Sequence, residues 1–528
     1  FPCTPSTTSV VGERVTGSYA LQFSGYDENG KAFLVAGTFT VAAGGSISGI
    51  EDKIAWNGSA YVNTQYAISS GSYTPISGSD SNSNNSGTLV LNTGTFPSTF
   101  QAVLDSAGNV EMIVSDKTNG SGSGFAVPSS KNKFSQGTSA TFAFGFTGVD
   151  ASSNRVGYAG LLPTDGVSSV SGGWIDVNDN GSASNSVCGS APCAVAGSYS
   201  YSSTTNQGQI TLTSPKAMTF DFFVANGTSS ANSPLTLYAI STDSNPAVVG
   251  SIVLQDAKKA PYTNAVFNGT SVSALTGTND NVALILLTTF GDDGSSGVTG
   301  ACPNSSNDSG SLEGNFDQNN AGTIVSVSTF PGTGQASNPY TYVSTNGNTG
   351  RYVFCLLGNP NAKGGAVLPI PFVLYASGAN SGFLLDQSSP SVMTGTMIAQ
   401  PSIRGSTIAN STAIGSYAVA TNSNSVSNPA GCSLLPACFA TMNLLVTAPV
   451  VAVPSQIVLA SNVTGTENPN NMPVSWIFNV GTSGYGTIGP LAPATTPPNY
   501  VIYGLTATDY FMIDVDSGVT SPILYMAQ

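Results

Sequence analysis

Charge is scarce in this 528-residue chain: Asp, Glu, Lys and Arg make up 8% of it, against ~25% in an average soluble protein. What charge there is runs acidic, 27 against 13, for a net −14. No Lys/Arg cluster interrupts it, so a phosphate backbone would be repelled and nucleic acid is excluded as a partner. Histidine is absent altogether. That removes Ser-His-Asp and Cys-His nucleophile systems, the imidazole general base and every His-containing zinc site. A carboxylate is the side chain left for acid–base work near neutral pH. Long apolar runs are lacking as well. The nearest to a ~20-residue membrane span, Leu444 to Ala460, is broken by Pro449 and Pro454. No amphipathic helix of three or more turns is legible.

Repetition is what the chain has instead. Its last 29 residues, Tyr500 to Gln528, lie without a gap over Phe372 to Gln400, 128 positions earlier. Phe372-Val-Leu-Tyr375 matches Tyr500-Val-Ile-Tyr503, Phe383-Leu-Leu-Asp386 matches Phe511-Met-Ile-Asp514, and both copies end in Ala-Gln. Leu235 to Gln255 and Phe100 to Val127 read as two diverged copies of the same closing hairpin, which makes four. A period of this size is that of a small domain, whereas solenoid coils repeat every ~20–50 residues.

The first unit opens Gly17-Ser-Tyr-Ala-Leu-Gln-Phe-Ser-Gly25-Tyr-Asp27, where Tyr19, Leu21 and Phe23 alternate with small or polar residues. Period two predicts a half-buried strand. A turn at Asp27-Glu-Asn-Gly30 leads to a strand over Ala32 to Val41, and another at Ala43-Gly-Gly45 to a strand over Ser46 to Ile54. The second unit repeats this opening at Phe142-Ala-Phe-Gly-Phe146-Thr-Gly148-Val-Asp150, the third opens at Val282 to Phe290, and the fourth at Gly415-Ser-Tyr-Ala418. A mid-unit motif recurs at Asn85-Ser-Gly, Asn206-Gln-Gly and Asn348-Thr-Gly, where Asn and Gly supply the positive φ of a tight hairpin. The predicted organisation is an N-terminal arm over 1–15 and four β domains over 16–130, 131–262, 263–402 and 403–528. Eight to ten short strands per unit bury a one-sided apolar face by closing into a barrel or pairing as a sandwich. The expected fold is all-β: four tandem small antiparallel β-barrels, or β-sandwiches, in a row.

The opening motif, with Ala36-Gly-Thr-Phe-Thr-Val-Ala-Ala-Gly-Gly-Ser-Ile-Ser-Gly-Ile-Glu-Asp52 and the closing hairpins, resembles the tandem β-repeats of large secreted proteins common in acidobacterial genomes. The resemblance implies export and repeat architecture and carries over no active site.

Cysteine placement reads as a disulfide framework. Cys188 with Cys193, Cys302 with Cys355 and Cys432 with Cys438 each fall inside one unit, as intradomain bridges do. Cys3 is left over, a candidate for a contact between subunits. Because the chain starts at Phe1, it is read as processed for export, which places it outside the cell or at its surface.

Candidate chemistry is thin. Asp176-Val-Asn178-Asp-Asn180-Gly181 begins like a calcium loop, but position twelve is Val187 rather than a bidentate acid, so a polar turn is expected. Asp516-Ser-Gly and Asp308-Ser-Gly have the form of aspartic-protease loops but fall at non-equivalent places in their units. Glu51 with Asp52, and Asp292 with Asp293, are carboxyl pairs of the kind a glycosidase needs, but neighbours on a strand point to opposite faces. Trp56 and Trp174 are possible sugar-stacking platforms, and core packing accounts for most other aromatics. No catalytic residue, cofactor or metal is therefore expected. The expected function is a secreted structural subunit of an extracellular filament or surface layer, meeting copies of itself through its N-terminal arm or sheet edges. The alternative is a multivalent adhesin or glycan-binding array.

Overall fold

The computed structural model describes residues 15–75, 86–95, 97–105, 107–114, 120–129, 134, 139–183, 188–189, 191–225, 235–278, 282–292, 310–320, 323–330, 341–345, 347, 349–357, 369–387, 392–400, 415–421, 441–448, 451–452, 455–457, 472–474, 476–480, 485–490, 499–506, 509–516 and 523–527.

Unit 1 comprises β1 (Gly17–Asp27), β2 (Ala32–Val41), β3 (Ile47–Trp56), β4 (Tyr61–Ile68), β5 (Ser70–Pro75), β6 (Ser86–Asn92), β7 (Thr99–Leu104), β8 (Val110–Val114) and β9 (Gly120–Pro128). Unit 2 comprises β10 (Ala140–Val149), β11 (Arg155–Thr164), β12 (Ser169–Asp179), β13 (Ser182–Ala183), β14 (Cys193–Ser202), β15 (Gln207–Ser214), β16 (Met218–Val224), β17 (Thr236–Ser241) and β18 (Ala247–Leu254). Unit 3 comprises β19 (Gly269–Thr278), β20 (Val282–Asp292), β21 (Gly310–Asn320), β22 (Thr323–Phe330), β23 (Thr341–Thr345), β24 (Arg351–Leu357), β25 (Pro369–Gly378), β26 (Ser381–Asp386) and β27 (Val392–Ala399). Unit 4 comprises β28 (Gly415–Thr421), β29 (Thr441–Ala448), β30 (Val451–Ala452), β31 (Ser455–Ile457), β32 (Met472–Val474), β33 (Trp476–Val480), β34 (Tyr485–Pro490), β35 (Tyr500–Gly504), β36 (Asp509–Asp514) and β37 (Ile523–Ala527).

The fold is all-β and antiparallel, with barrels rather than sandwiches. In unit 2 each strand from β14 to β17 pairs with the next, β18 returns to β10, and the β10–β11, β11–β12 and β12–β14 pairs complete the circle, leaving β13 as a stub on β12. Unit 3 closes the same way: β27 returns to β19, and β22 hangs from β21. Unit 1 has the same order but pairs β3 with β4 over most of its length, so its sheet ends at β4 and β5. The main sheet of unit 4 runs β30-β29-β28-β37-β36-β35-β34-β33. Closure removes sheet edges. Among the described residues, unit 2 leaves the two-residue β13 at an edge, while eight-residue β4 and β22 remain at edges in units 1 and 3. The predicted opening of unit 3 also moves, because Val282 to Phe290 lies in its second strand and β19 comes first.

Alternation builds two apolar surfaces per strand. In unit 2, Phe142, Phe144 and Phe146 point inward with Phe220, Phe222, Ile175 and Val177, while Ala143 on the same strand points outward into a second cluster. In unit 1, Tyr19, Leu21 and Phe23 point inward and Ala20 outward. Barrel 2 is filled, as small eight-stranded barrels are. The space left among Phe134, Phe142, Leu162, Tyr199 and Phe222 has room for about one water molecule.

The outward surfaces join the units. The opening strands of unit 1 (Ala20, Leu34, Ala36, Ile54) pack on the closing strands of unit 2 (Phe223, Tyr238, Ile240, Val249). Ala143, Ala159 and Leu161 of unit 2 pack on Val373, Tyr375, Phe383 and Leu385 of unit 3. Val272, Ala274 and Ile285 of unit 3 pack on Val501, Tyr503, Phe511 and Ile513 of unit 4. Finally β28 and β29 of unit 4 pack on β7 and β8 of unit 1. The interface is head-to-tail throughout, opening face against closing face. A heterologous contact repeated through a fixed rotation ends either in an open helix or in a ring. Here it closes after four units, so the expected row is bent round until its last unit meets its first.

Candidate functional site

Among the described residues, several buried polar side chains meet at these junctions. At the second, Asp176 on β12 is fully buried. It accepts from Arg351 Nε at 2.6 Å, from Arg351 Nη2 at 3.2 Å and from the Tyr375 hydroxyl at 2.6 Å. Arg351 and Tyr375 are cross-strand neighbours on β24 and β25, so one unit presents the fork that the other's carboxylate fills. Burial works against the guanidinium, but Asp176 and Tyr375 more than offset it, leaving the Arg351 pKa above its ordinary value. Burial, then the charge of Asp176, puts the Tyr375 hydroxyl well above the usual tyrosine range. Two positions on, Asn178 donates to the Asp386 carbonyl at 2.7 Å. Gln255, just past β18, donates to the Ala376 carbonyl at 2.9 Å.

The third junction repeats this in register. Asp317 stands opposite Ile285 as Asp176 stands opposite Ala159. It accepts from Tyr503, the repeat counterpart of Tyr375, and from Ser326. Asn319 donates to the Asp514 carbonyl at 3.0 Å, and Gln400 donates to the Gly504 carbonyl.

The first junction keeps the positions and changes the chemistry. Asp52, opposite Ala36, is the counterpart of Asp176, but the tyrosine position is Phe223, which faces Tyr238 across the ladder as Tyr375 faces Phe383. Gln65 donates to Asp52 Oδ1 at 3.0 Å, and Oδ2 is buried without a protein hydrogen-bond donor. Burial, then the charge of Asp221 across the junction, pushes Asp52 up to about 7. The counterpart of Asn178 is Ile54, and its cross-strand neighbour Asn63 supplies the missing amide, donating to the Ser241 carbonyl at 2.8 Å. Ser129 takes the glutamine's part through its bond to the Val224 carbonyl at 2.6 Å. At the fourth junction the aromatic position is Glu111, opposite Val103 on β7, where the other units have Tyr238, Phe383 and Phe511. Burial and then the nearby Asp105 push Glu111 up to about 8.

The residues singled out in the sequence fare unevenly. Cys188 and Cys193 are bonded, Cα to Cα 5.8 Å; Cys3, Cys302, Cys432 and Cys438, and the side chain of Cys355, lie outside the described residues, as does the N-terminal arm up to residue 14. The Asp176–Gly181 stretch is a strand end and turn whose Asp176 and Asn178 are committed to unit 3. Asp516 is bonded to Asn499, and Asp308 lies outside the described residues. Glu51 faces the interior of unit 1 and Asp52 the junction, on opposite faces as alternation requires. Asp293 and the side chain of Asp292 are outside the described residues. Trp56 and Trp174 both pack at junctions, Trp56 edge-on to Tyr61 with Lys31 over its ring at 4.7 Å. Sequence reasoning singled out Asp52 and Asp176 without their place at the junctions, and missed Asp317, Asp221 and Glu111. The signal was there: Asp176-Val-Asn178 and Asp317-Gln-Asn319 recur in the same slot of consecutive units. No group of three or more metal-ligating side chains occurs among the described residues.

Neither a family model nor a curated protein matches the chain. Among solved structures it is similar to the crystal structure at 2.00 Å of a candidate AttH protein from Nitrosomonas europaea. That match is 10% identical and spans 75% of this chain and 98% of that one, with a TM-score of 0.14, a likeness too slight to carry an argument.

Proposed function

We propose that this is a non-catalytic structural protein, a subunit of an extracellular filament or surface layer that uses the four-unit ring as a rigid block. The observation that carries the reading is where the buried polar groups go. Asp176, Arg351, Tyr375, Asn178, Asp317 and Tyr503 are turned on one another across unit boundaries. A site for chemistry needs instead a polar group aimed at open space. The filled interior of barrel 2 supports the same reading, and so does the low charge, which weakens repulsion between copies. Sheet edges at β4 and β22 are the strands suited to pairing with a neighbour, and the Cys3 arm is the second candidate contact. The adhesin or glycan-array alternative has less support, since the two tryptophans suited to sugar stacking are packed at junctions.

Electron microscopy of the purified protein, with and without reductant, is the test. Ordered filaments or sheets that shorten on reduction fit a subunit linked through Cys3. Dispersed single particles at high concentration in both conditions count against it.

A further inference from the structure

Unit 1 is held differently from the rest of the ring. Units 2, 3 and 4 are joined by aspartates that find a hydroxyl or guanidinium across the junction. Both junctions of unit 1 place a carboxyl for which no such partner stands among the described residues. On one side Asp52, 1% exposed and with Oδ2 buried without a hydrogen-bond partner, stands across the seam from the half-buried Asp221 of β16, whose charge acts on it. Each acid has an amide on its other flank, Gln65 to Asp52 and Gln209 to Asp221, both at 3.0 Å. The remaining neighbours are apolar: Leu34, Ala36 and Ile54 from unit 1, Phe223 and Ile240 from unit 2. No Lys or Arg among the described residues acts on either acid. Ionising Asp52 sets a desolvated negative charge facing that of Asp221, so burial and like charge both favour its protonated form.

On the other side Glu111, 8% exposed, lies where three units meet. Val103 and Phe125 flank it on its own sheet. Phe125 in turn packs edge-on to Tyr238 of unit 2, and β8 packs on β28 of unit 4; Asp105 is the ionisable group acting on Glu111. It too is a buried acid whose cross-strand neighbours are apolar, with no cation among the described groups acting on it.

We propose that unit 1 is a proton-held jaw of the ring: the Asp52–Asp221 pair and Glu111 keep it seated while protonated, and their ionisation releases it from units 2 and 4. The sign follows from burial. An acid whose pKa rises on folding stabilises the closed form below its unfolded value and loses that contribution as pH climbs to the folded value. For Asp52 the window runs from about 4 to about 7, and for Glu111 from about 4.5 to about 8. The ring is tight in acid and loosens toward mild alkali.

Hydrogen exchange measured peptide by peptide at pH 5 and pH 9, corrected for the intrinsic rate, tests this on the full chain. Protection of β3, β16 and β8 is expected to fall at least about tenfold, reversibly, while β12 and β25 keep theirs. The variant combining Asp221→Asn and Glu111→Gln should hold its protection at pH 9. Equal protection of wild-type β3 and β8 at both pH values overturns the proposal, and needs no variant to fold. So does a double variant that loosens as the wild type does. Restoration of wild-type protection at pH 9 by calcium chloride would also overturn it, showing that a cation rather than a proton neutralises the acids.

Discussion

The Tyr375 hydroxyl of unit 3 lies 2.6 Å from the Asp176 carboxylate of unit 2, and Tyr503 of unit 4 makes the same bond to Asp317 of unit 3. The same lock joins two different pairs of barrels. Hydrogen bonds to a buried charge contribute about 1.5–3 kcal/mol. Tyr375→Phe should therefore lower the stability of the chain by about that amount in urea unfolding, with the fold retained by circular dichroism. Arg351→Met should cost more, about 3–5 kcal/mol, because it strands a buried carboxylate. If Tyr375→Phe unfolds at the wild-type midpoint, the lock contributes nothing.

The first junction lacks that hydroxyl, and the same logic runs in reverse. Phe223 occupies the tyrosine position and is fully buried in one cluster with Ala36, the cross-strand neighbour of Asp52. Phe223→Tyr should give Asp52 a donor, favour its ionised form and raise the melting temperature at pH 8 more than at pH 4.5. A uniform loss at both pH values would mean the hydroxyl is not accommodated.

Close approach at the second junction depends on Gly145, where an added Cβ would sit 2.5 Å from the Phe383 ring. That ring packs against the backbone of β10, and it is the far unit that would have to move. Gly145→Ala should cost about 1–3 kcal/mol, the usual range for overpacking. The compensating change Phe383→Leu should recover part of it in a double-mutant cycle.

Asp514 offers a pH test away from unit 1. Burial pushes its carboxyl up to about 7, so the folded chain favours its protonated form. Its contribution is present below about 4 and is lost as pH rises toward 7. Asp514→Asn should flatten that part of the melting temperature against pH curve, and an unchanged slope would place the dependence elsewhere.

Much of the fold was legible because strands advertise themselves by period two: Tyr19, Leu21 and Phe23 gave β1, and Ala32 to Val41 was β2 as expected. The repeat at Phe372 and Tyr500 marked the closing hairpins for the same reason. The ring was not legible. It is built from the other face of each strand, where Ala20, Ala36, Ala143 and Ala159 look like the small residues of a solvated surface, though their size is what lets two barrels approach. The lock acids were hidden differently. Asp176 and Asn178 carry the composition of a turn, and only the register of β12 against β11 shows that both side chains face another unit. Glu111 would have stood out only in a four-way alignment of the units, as the one acid in a slot otherwise filled by Tyr238, Phe383 and Phe511.

Small-angle X-ray scattering of the monodisperse chain tests the closure of the ring most directly. A compact molecule of this length has a radius of gyration of about 24 Å, whereas four such units in a row give about 30 Å or more. The ring predicts the smaller value in mildly acidic buffer, with a single maximum in the pair-distance distribution. A value at or above that of the row would contradict it.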